Sequence, residues 1–128
     1  MEDHRDDVVV IAAGYEAEMR RFLAATSGLS SRFSHHIRFA DYTTDELVTI
    51  TSQHAAAAGY EFTSAALTAL RRHFTAAPRG PSFGNGRYAR QALDAAITRQ
   101  AGRLRRTPTP TPADLCQLLP TDITPEPT

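Results

Sequence analysis

The chain is 128 residues long and carries 14 basic and 14 acidic side chains, all of the basic ones arginine, so its formal net charge is zero. That balance excludes the broad electropositive character expected of a general DNA or anionic-membrane binder. The single cysteine, Cys116, excludes an internal disulfide and leaves no Cys/His framework for zinc, and the longest apolar run, residues 8–13, is far too short to span a bilayer. An acidic start at residues 2–7 is the opposite of a basic signal-peptide head, so a cytoplasmic, reducing setting is expected.

Residues 8–13 form an unbroken β-branched and apolar run ending at Gly14, the pattern of a strand covered on both faces in a parallel sheet. Tyr15, Met19, Phe22 and Leu23 then recur at helical spacing, with Gly28 placed to cap the helix in a left-handed conformation. A second short strand is expected at Ile37, Arg38 and Phe39. Strand, helix and strand in that order read as a parallel crossover unit.

From Thr43 onward the pattern is helical only. Thr43 and Glu46 have capping-box spacing, and Leu47, Ile50, His54 and Ala58 follow on one face until Gly59. Thr63 or Ser64 starts a second helix with Leu67, Leu70 and Phe74 inward, broken at residues 78–81. A third helix is expected from about Asn85 to Arg105, with Ala89, Leu93, Ala96, Ile97, Ala101 and Leu104 as its stripe. Residues 107–112 alternate Thr and Pro as an extended connector, a short helical stretch follows at 113–118, and residues 124–128 read as a flexible tail. The expected organisation is therefore an α/β segment over 1–41, a helical bundle over 42–106 and a Pro-rich connector, short helix and tail over 107–128, mainly α overall.

Four features carry candidate chemistry. Arg32, in the loop after the first helix and beside Phe33, offers a guanidinium that can grip a phosphate bidentately; the plain alternative is a surface ion-pair partner. Arg87 lies in the first turn expected of the third helix, after Gly84 and Gly86, where a cation opposes the helix dipole by a few tenths of a kcal/mol unless an anion compensates. Arg90 and Asp94, four apart, are expected to pair with each other. His35 and His36 are adjacent and so point apart in an extended segment, which makes a poor metal pair; no metal site is expected. Arg99, Arg103, Arg105 and Arg106 form a basic helix end that reads as a solvated face matching the C-terminal dipole, and nucleic-acid binding is not expected because no aromatics are interleaved.

The segments VVVIAAGYEAEMRRFLAATSGLSSRF, IRFADYTTDEL and SFGNGRYARQALDAAITRQAGRL, in that order, resemble the C-terminal half of AAA+ ATPases of the CbbX/EccA/SpoVK type. These include rubisco-activase-like remodellers and ATPases of type VII secretion. The resemblance implies that residues 8–13 are the fourth strand of an ATPase core and that Tyr15 stands at the sensor-1 position. It further implies that Arg32 is an arginine finger acting in trans on a neighbouring subunit's γ-phosphate, and that Arg87 is the sensor-2 arginine of a helical lid. Phe39, Asp41 and Tyr42 match the family's junction between core and lid.

Two departures stand out. Tyr15 replaces the Asn, Thr or Ser that orients water in many AAA+ proteins, and Ser30 replaces a basic residue near the finger. No GxxxxGK[ST] loop and no Walker B strand occur in the sequence. ATP and Mg²⁺ are therefore expected for an intact parent, a homo-hexamer, and not for this chain alone, which is expected to be inactive as an ATPase. The family's sheet order also places a strand from outside this sequence between the two present here, leaving the first without its neighbour. The alternative to a fragment of such an ATPase is a stand-alone helical lid module that binds other AAA+ subunits; in either case the protein substrate is not specified.

Overall fold

A computed structural model describes residues 9–25, 28–80 and 83–124, and the chain divides into two units, Met1–Phe39 and Ala40–Thr128. Readings that fall on residues 1–8, 26–27, 81–82 and 125–128 lie outside the described residues.

In the first unit the expected helix is present as α1 (Glu16–Ala25), with a short second helix α2 (Leu29–Arg32) entered through Gly28 at φ 79°. That positive φ is the left-handed region where glycine has no Cβ penalty; the expected conformation is present, at the start of α2 rather than in the expected cap of the first helix. Met19 and Leu23 are half-buried, while Tyr15 and Phe22 remain 42% and 50% exposed. The two expected strands are not formed: residues 9–13 and 37–39 belong to neither helix nor strand. Val9 is 86%, Ile11 87% and Phe39 91% exposed, so these residues are not the covered interior of a sheet. The physical reason is the one the pattern itself implied: a strand is defined by its ladder partners, and no described segment of this unit supplies one. The segment 37–39 is instead tied to α1 by an ion pair from Arg38 to Glu16, a carboxylate that also accepts from Arg20 at 2.8 Å.

The second unit is built from three principal helices, α3 (Thr44–Ala57), α4 (Ser64–Ala76) and α5 (Gly86–Leu104). Thr43 begins α3 with a reciprocal capping box: its hydroxyl accepts from the Glu46 amide at 3.2 Å, and the Glu46 carboxylate accepts from the Thr43 amide at 3.0 Å. Gly59, at φ 86°, ends α3; its amide donates to Ala56 at 3.1 Å and the Tyr60 amide reaches back to Ala55 at 2.8 Å, which satisfies two of the orphan carbonyls. Thr63, rather than Ser64, caps α4 by accepting from the Ala66 amide at 3.1 Å.

The core sits between α3, α4 and α5 and includes Leu47, Ala55, Ala66, Leu70, Phe74, Ala89, Leu93 and Ala96. On α3 the buried face is Leu47, Thr51 and Ala55, one position away from the expected His54 and Ala58, which are exposed. Thr51 tolerates burial because its hydroxyl donates to the Leu47 carbonyl at 2.7 Å, one turn back. On α5 the buried stripe ends at Gln100; of the expected Ala101 and Leu104 beyond it, the first is exposed and the second half-buried.

The segment after residue 106, expected as a connector, a short helix able to fold back on the bundle and a tail, packs as part of the same unit. It forms α6 (Pro112–Cys116) and a two-residue strand β2 (Gln117–Leu118), then α7 (Pro120–Ile123). β2 pairs in parallel with β1 (Glu61–Phe62), in the register Glu61 to Gln117 and Phe62 to Leu118. Leu118 and Ile123 are buried in the core, and α7 packs on both α4 and α5. The parallel pair thus lies in the helical unit, not where the β-branched run predicted it.

Candidate functional site

Arg32 is the last residue of α2, a turn opened by the left-handed Gly28 and stitched by the Ser31 hydroxyl donating to the Gly28 carbonyl at 2.7 Å. The Arg32 side chain is exposed, Phe33 beside it is half-buried, and among the described residues no carboxylate pairs with Arg32. Its geometry is that of a cation presented on a short turn. Tyr15 stands just before α1 and its carbonyl accepts from the Met19 amide at 2.8 Å. No hydrogen bond between Tyr15 and Arg32 occurs among the described residues.

Arg87 is the second residue of α5, exposed, and likewise without a carboxylate partner among the described residues. The turn that carries it is held from two sides. Its neighbour Tyr88 packs into an aromatic cluster, 5.3 Å from the Phe83 ring, 5.8 Å from Phe74 and stacked at 5.8 Å on His73. Offset and tilted rings at these separations add attraction beyond area burial. Before the helix, Asn85 adopts φ 47°, ψ −111°, and its side chain binds three backbone and side-chain groups of the lid entrance. Arg87 therefore projects from a well-fixed helix start, where a positive dipole end meets a guanidinium.

The remaining arginines are differently disposed from the solvated face expected. Arg99 donates to the carbonyls of Asp122 and Ile123 at 3.0 and 2.8 Å, and Arg103 grips both oxygens of the buried Asp122 carboxylate. Half of the basic helix end is thus occupied in holding the chain's last segment; Arg105 and Arg106 remain exposed. Arg90 and Asp94 approach to 3.6 Å, the pairing expected from their spacing.

His35 and His36 make only local bonds, to the Ser34 hydroxyl at 3.0 Å and to the Phe33 carbonyl at 2.9 Å, and no group of metal-binding side chains occurs among the described residues. Among those residues, no helix is long and apolar enough to cross a membrane.

A shallow cavity of about 190 Å³ lies between α4, α5 and α7, lined in part by His73, Tyr88, Gln91 and Arg99. Burial, and secondarily the nearby Arg99 charge, hold the His73 imidazole below its ordinary value and so favour its neutral form. The residues that sequence reasoning missed are Gln100 and Asp122, together with the role of Asn85. Gln100 was within reach of the pattern, since it continues the Ala89, Leu93, Ala96 spacing.

Comparison with known proteins identifies a family for the helical unit. Residues 43–128 match the AAA lid domain family. The chain is similar to the protein CbbX of Cereibacter sphaeroides, 44% identical over 104 residues, which is 81% of this chain and 34% of that protein. It is also 43% identical to a CfxQ homolog of Cyanidium caldarium over 108 residues, covering 84% of this chain and 38% of the relative. A chloroplastic ribulose bisphosphate carboxylase/oxygenase activase of Cyanidioschyzon merolae is 40% identical over 108 residues, 84% of this chain and 37% of the relative. The chain thus spans a little over a third of the length of these relatives. The matched stretch is longer than the lid match alone, so the likeness takes in part of the first unit as well. With its capped three-helix bundle, its matched span and its CbbX-like relatives, the chain belongs to the AAA lid domain family.

Proposed function

We propose that the chain is the C-terminal portion of a AAA+ ATPase that remodels a protein substrate, closest in kind to the rubisco-activase-like branch. In this reading Arg32 is the arginine finger, reaching a neighbouring subunit's nucleotide, and Arg87 is sensor 2, reading the nucleotide of its own subunit. Tyr15 occupies the sensor-1 position. The observation that carries the reading is the extent of the likeness to CbbX-type proteins, which runs beyond the lid into the unit that bears Arg32. The exposed run at Val9, Val10 and Ile11 supports it, because such residues are suited to a sheet completed by strands of the parent.

Both arginines work through the same physics. A planar guanidinium supplies paired donors and a fixed positive charge to phosphate oxygens as charge develops on the transferred phosphoryl group. In comparable NTPases the finger is worth about three to five orders of magnitude in rate. ATP and Mg²⁺ would be held by the phosphate-binding half of the parent, and the active assembly would be a homo-hexamer, since a finger acting in trans needs a neighbour. Arg87, on a bundle distinct from the core, would turn loss of the γ-phosphate into a change in lid position.

The experiment is complementation. The chain is mixed with a separately produced N-terminal half of the Cereibacter sphaeroides CbbX, and ATP hydrolysis is compared for the native sequence, Arg32→Ala and Arg87→Ala. Restored hydrolysis that falls about a thousandfold in Arg32→Ala supports the reading. Association without hydrolysis, in a chain that is folded, would instead favour the second reading, a lid module that binds other AAA+ subunits. That alternative rests on the self-contained core of the second unit, in which no buried side-chain polar atom among the described residues lacks a partner.

A further inference from the structure

We infer that Asn85 is a positioning residue that ties the chain entering the lid, at Asp41 and Tyr42, to the start of α5, and so fixes where Arg87 stands. The inference rests on the reading of Arg87 as the residue that senses nucleotide, and it adds how that sensing reaches the lid entrance.

Asn85 is the only non-glycine residue with positive φ among the described residues. With ψ −111° its conformation lies outside the left-handed helical region that Asn enters readily, so it is strained for any side chain and persists where the surroundings over-determine it. Here the surroundings are specific. The Asn85 Oδ1 accepts from the Tyr42 amide at 2.7 Å, and Nδ2 donates to Asp41 Oδ1 at 2.8 Å and to the Phe83 carbonyl at 3.1 Å. Only one orientation of the amide fits, because a flip would set its oxygen against a carboxylate and a carbonyl and its NH₂ against an N–H.

The Tyr42 peptide is held on its other side as well. Arg79 donates to the Tyr42 carbonyl, and its guanidinium lies 4.4 Å over the Phe83 ring. Asp41, Tyr42, Arg79, Phe83 and Asn85 thus form one knot. Arg87 follows two residues later, its amide donating to the Gly84 carbonyl at 2.9 Å, with Tyr88 locked in the aromatic cluster. A pull on the Arg87 guanidinium from a phosphate is therefore delivered to the Tyr42 peptide through few and short links. Tyr42 follows closely on the boundary between the two units, at Phe39 and Ala40.

Asn85→Gly removes the side-chain bonds without forcing the backbone out of its φ 47°, ψ −111° conformation, which glycine tolerates. In the 128-residue chain, amide hydrogen exchange and ¹⁵N relaxation are measured for the native sequence and this variant. The expected result is exchange at Tyr42 faster by about tenfold, as for loss of one well-formed bond. A lower order parameter at the Arg87 Nε–H should accompany it, with the amides of Leu70 and Leu93 unchanged. Unchanged exchange at Tyr42, or release of Tyr42 with no change at Arg87, overturns the inference. Loss of the core amides along with Tyr42 overturns it too, because Asn85 would then be a general stabiliser of the bundle. The complementation assay separates the two layers: if Arg87→Ala leaves hydrolysis untouched, the sensing role fails while the tie between Tyr42 and Arg87 is judged by exchange alone.

Discussion

Arg103 and Asp122 meet as a two-pronged pair across the C-terminal segment: the guanidinium donates through Nε and Nη2 to the two carboxylate oxygens at 3.2 and 2.9 Å. Asp122 is almost wholly buried, and its Oδ2 also accepts from the Leu119 amide at 2.8 Å, so the carboxylate both pairs with the arginine and closes the start of α7. Its hydrogen bond holds the Arg103 guanidinium above its ordinary value, outweighing the opposing effect of desolvation. Breaking a buried pair costs about 3–5 kcal/mol, but Arg103 keeps 27% of its side-chain exposure and can rehydrate. Asp122→Ala is therefore expected to cost about 2–3 kcal/mol in urea unfolding, below that range.

Gln100 offers a second test of the same segment. Its Nε2 lies within reach of the carbonyls of Asp114, Leu115 and Gln117 at 3.3, 3.1 and 3.1 Å. Gln100→Leu removes the donor, so the loss comes from the carbonyls of Asp114 and Leu115, while that of Gln117 keeps Arg103 Nη2 at 3.5 Å; the cost is about 1–3 kcal/mol. The midpoint in urea should fall with an unchanged m-value, since the surface exposed on unfolding is nearly the same.

Phe74 is fully buried where α4 meets the aromatic cluster, whereas Leu115 on α6 is 54% exposed. Phe74→Ala should cost about 3–5 kcal/mol and Leu115→Ala little, because only the first leaves a cavity. Thermal unfolding of the two variants side by side checks this; equal losses would mean that the core does not lie where α3, α4 and α5 converge.

His73 gives the lid a pH dependence of known sign. By surface area it is exposed, yet its ring is crowded by Tyr88 and Phe74, and burial followed by the Arg99 charge lowers its folded pKa below the ordinary 6.5. The unfolded chain then binds the proton more readily, so stability is complete above 6.5 and declines as pH falls through that value toward the folded pKa. Exposure to solvent keeps the effect small. Chemical denaturation at pH 7.5 and 5.5 should show a drop for the native chain that His73→Gln lacks.

The helices were legible because their signals are local. Thr43 with Glu46, Gly59, Thr63 and the Leu70–Phe74 spacing each act within one or two turns, and the structure uses them as the pattern implied. The β-branched run at residues 8–13 was legible as a sequence for a sheet, but a ladder needs partners that no local pattern provides. The C-terminal segment was hardest to read. Its elements, α6, β2 and α7, are too short to show periodicity, and what holds them is long-range: Arg99, Arg103 and Gln100 reaching from α5. A basic helix end looks the same in sequence whether it faces water or a buried carboxylate.

The parallel pairing of Glu61 with Gln117 and Phe62 with Leu118 also sets an order of events during synthesis. β1 and the inner faces of α3, α4 and α5 leave the ribosome well before Leu118 and Ile123 can cover them, so the nascent bundle waits, incomplete, for its last two turns of chain. A released chain ending at Arg106 is expected to be protease-sensitive, while one that extends through residue 124 should be resistant.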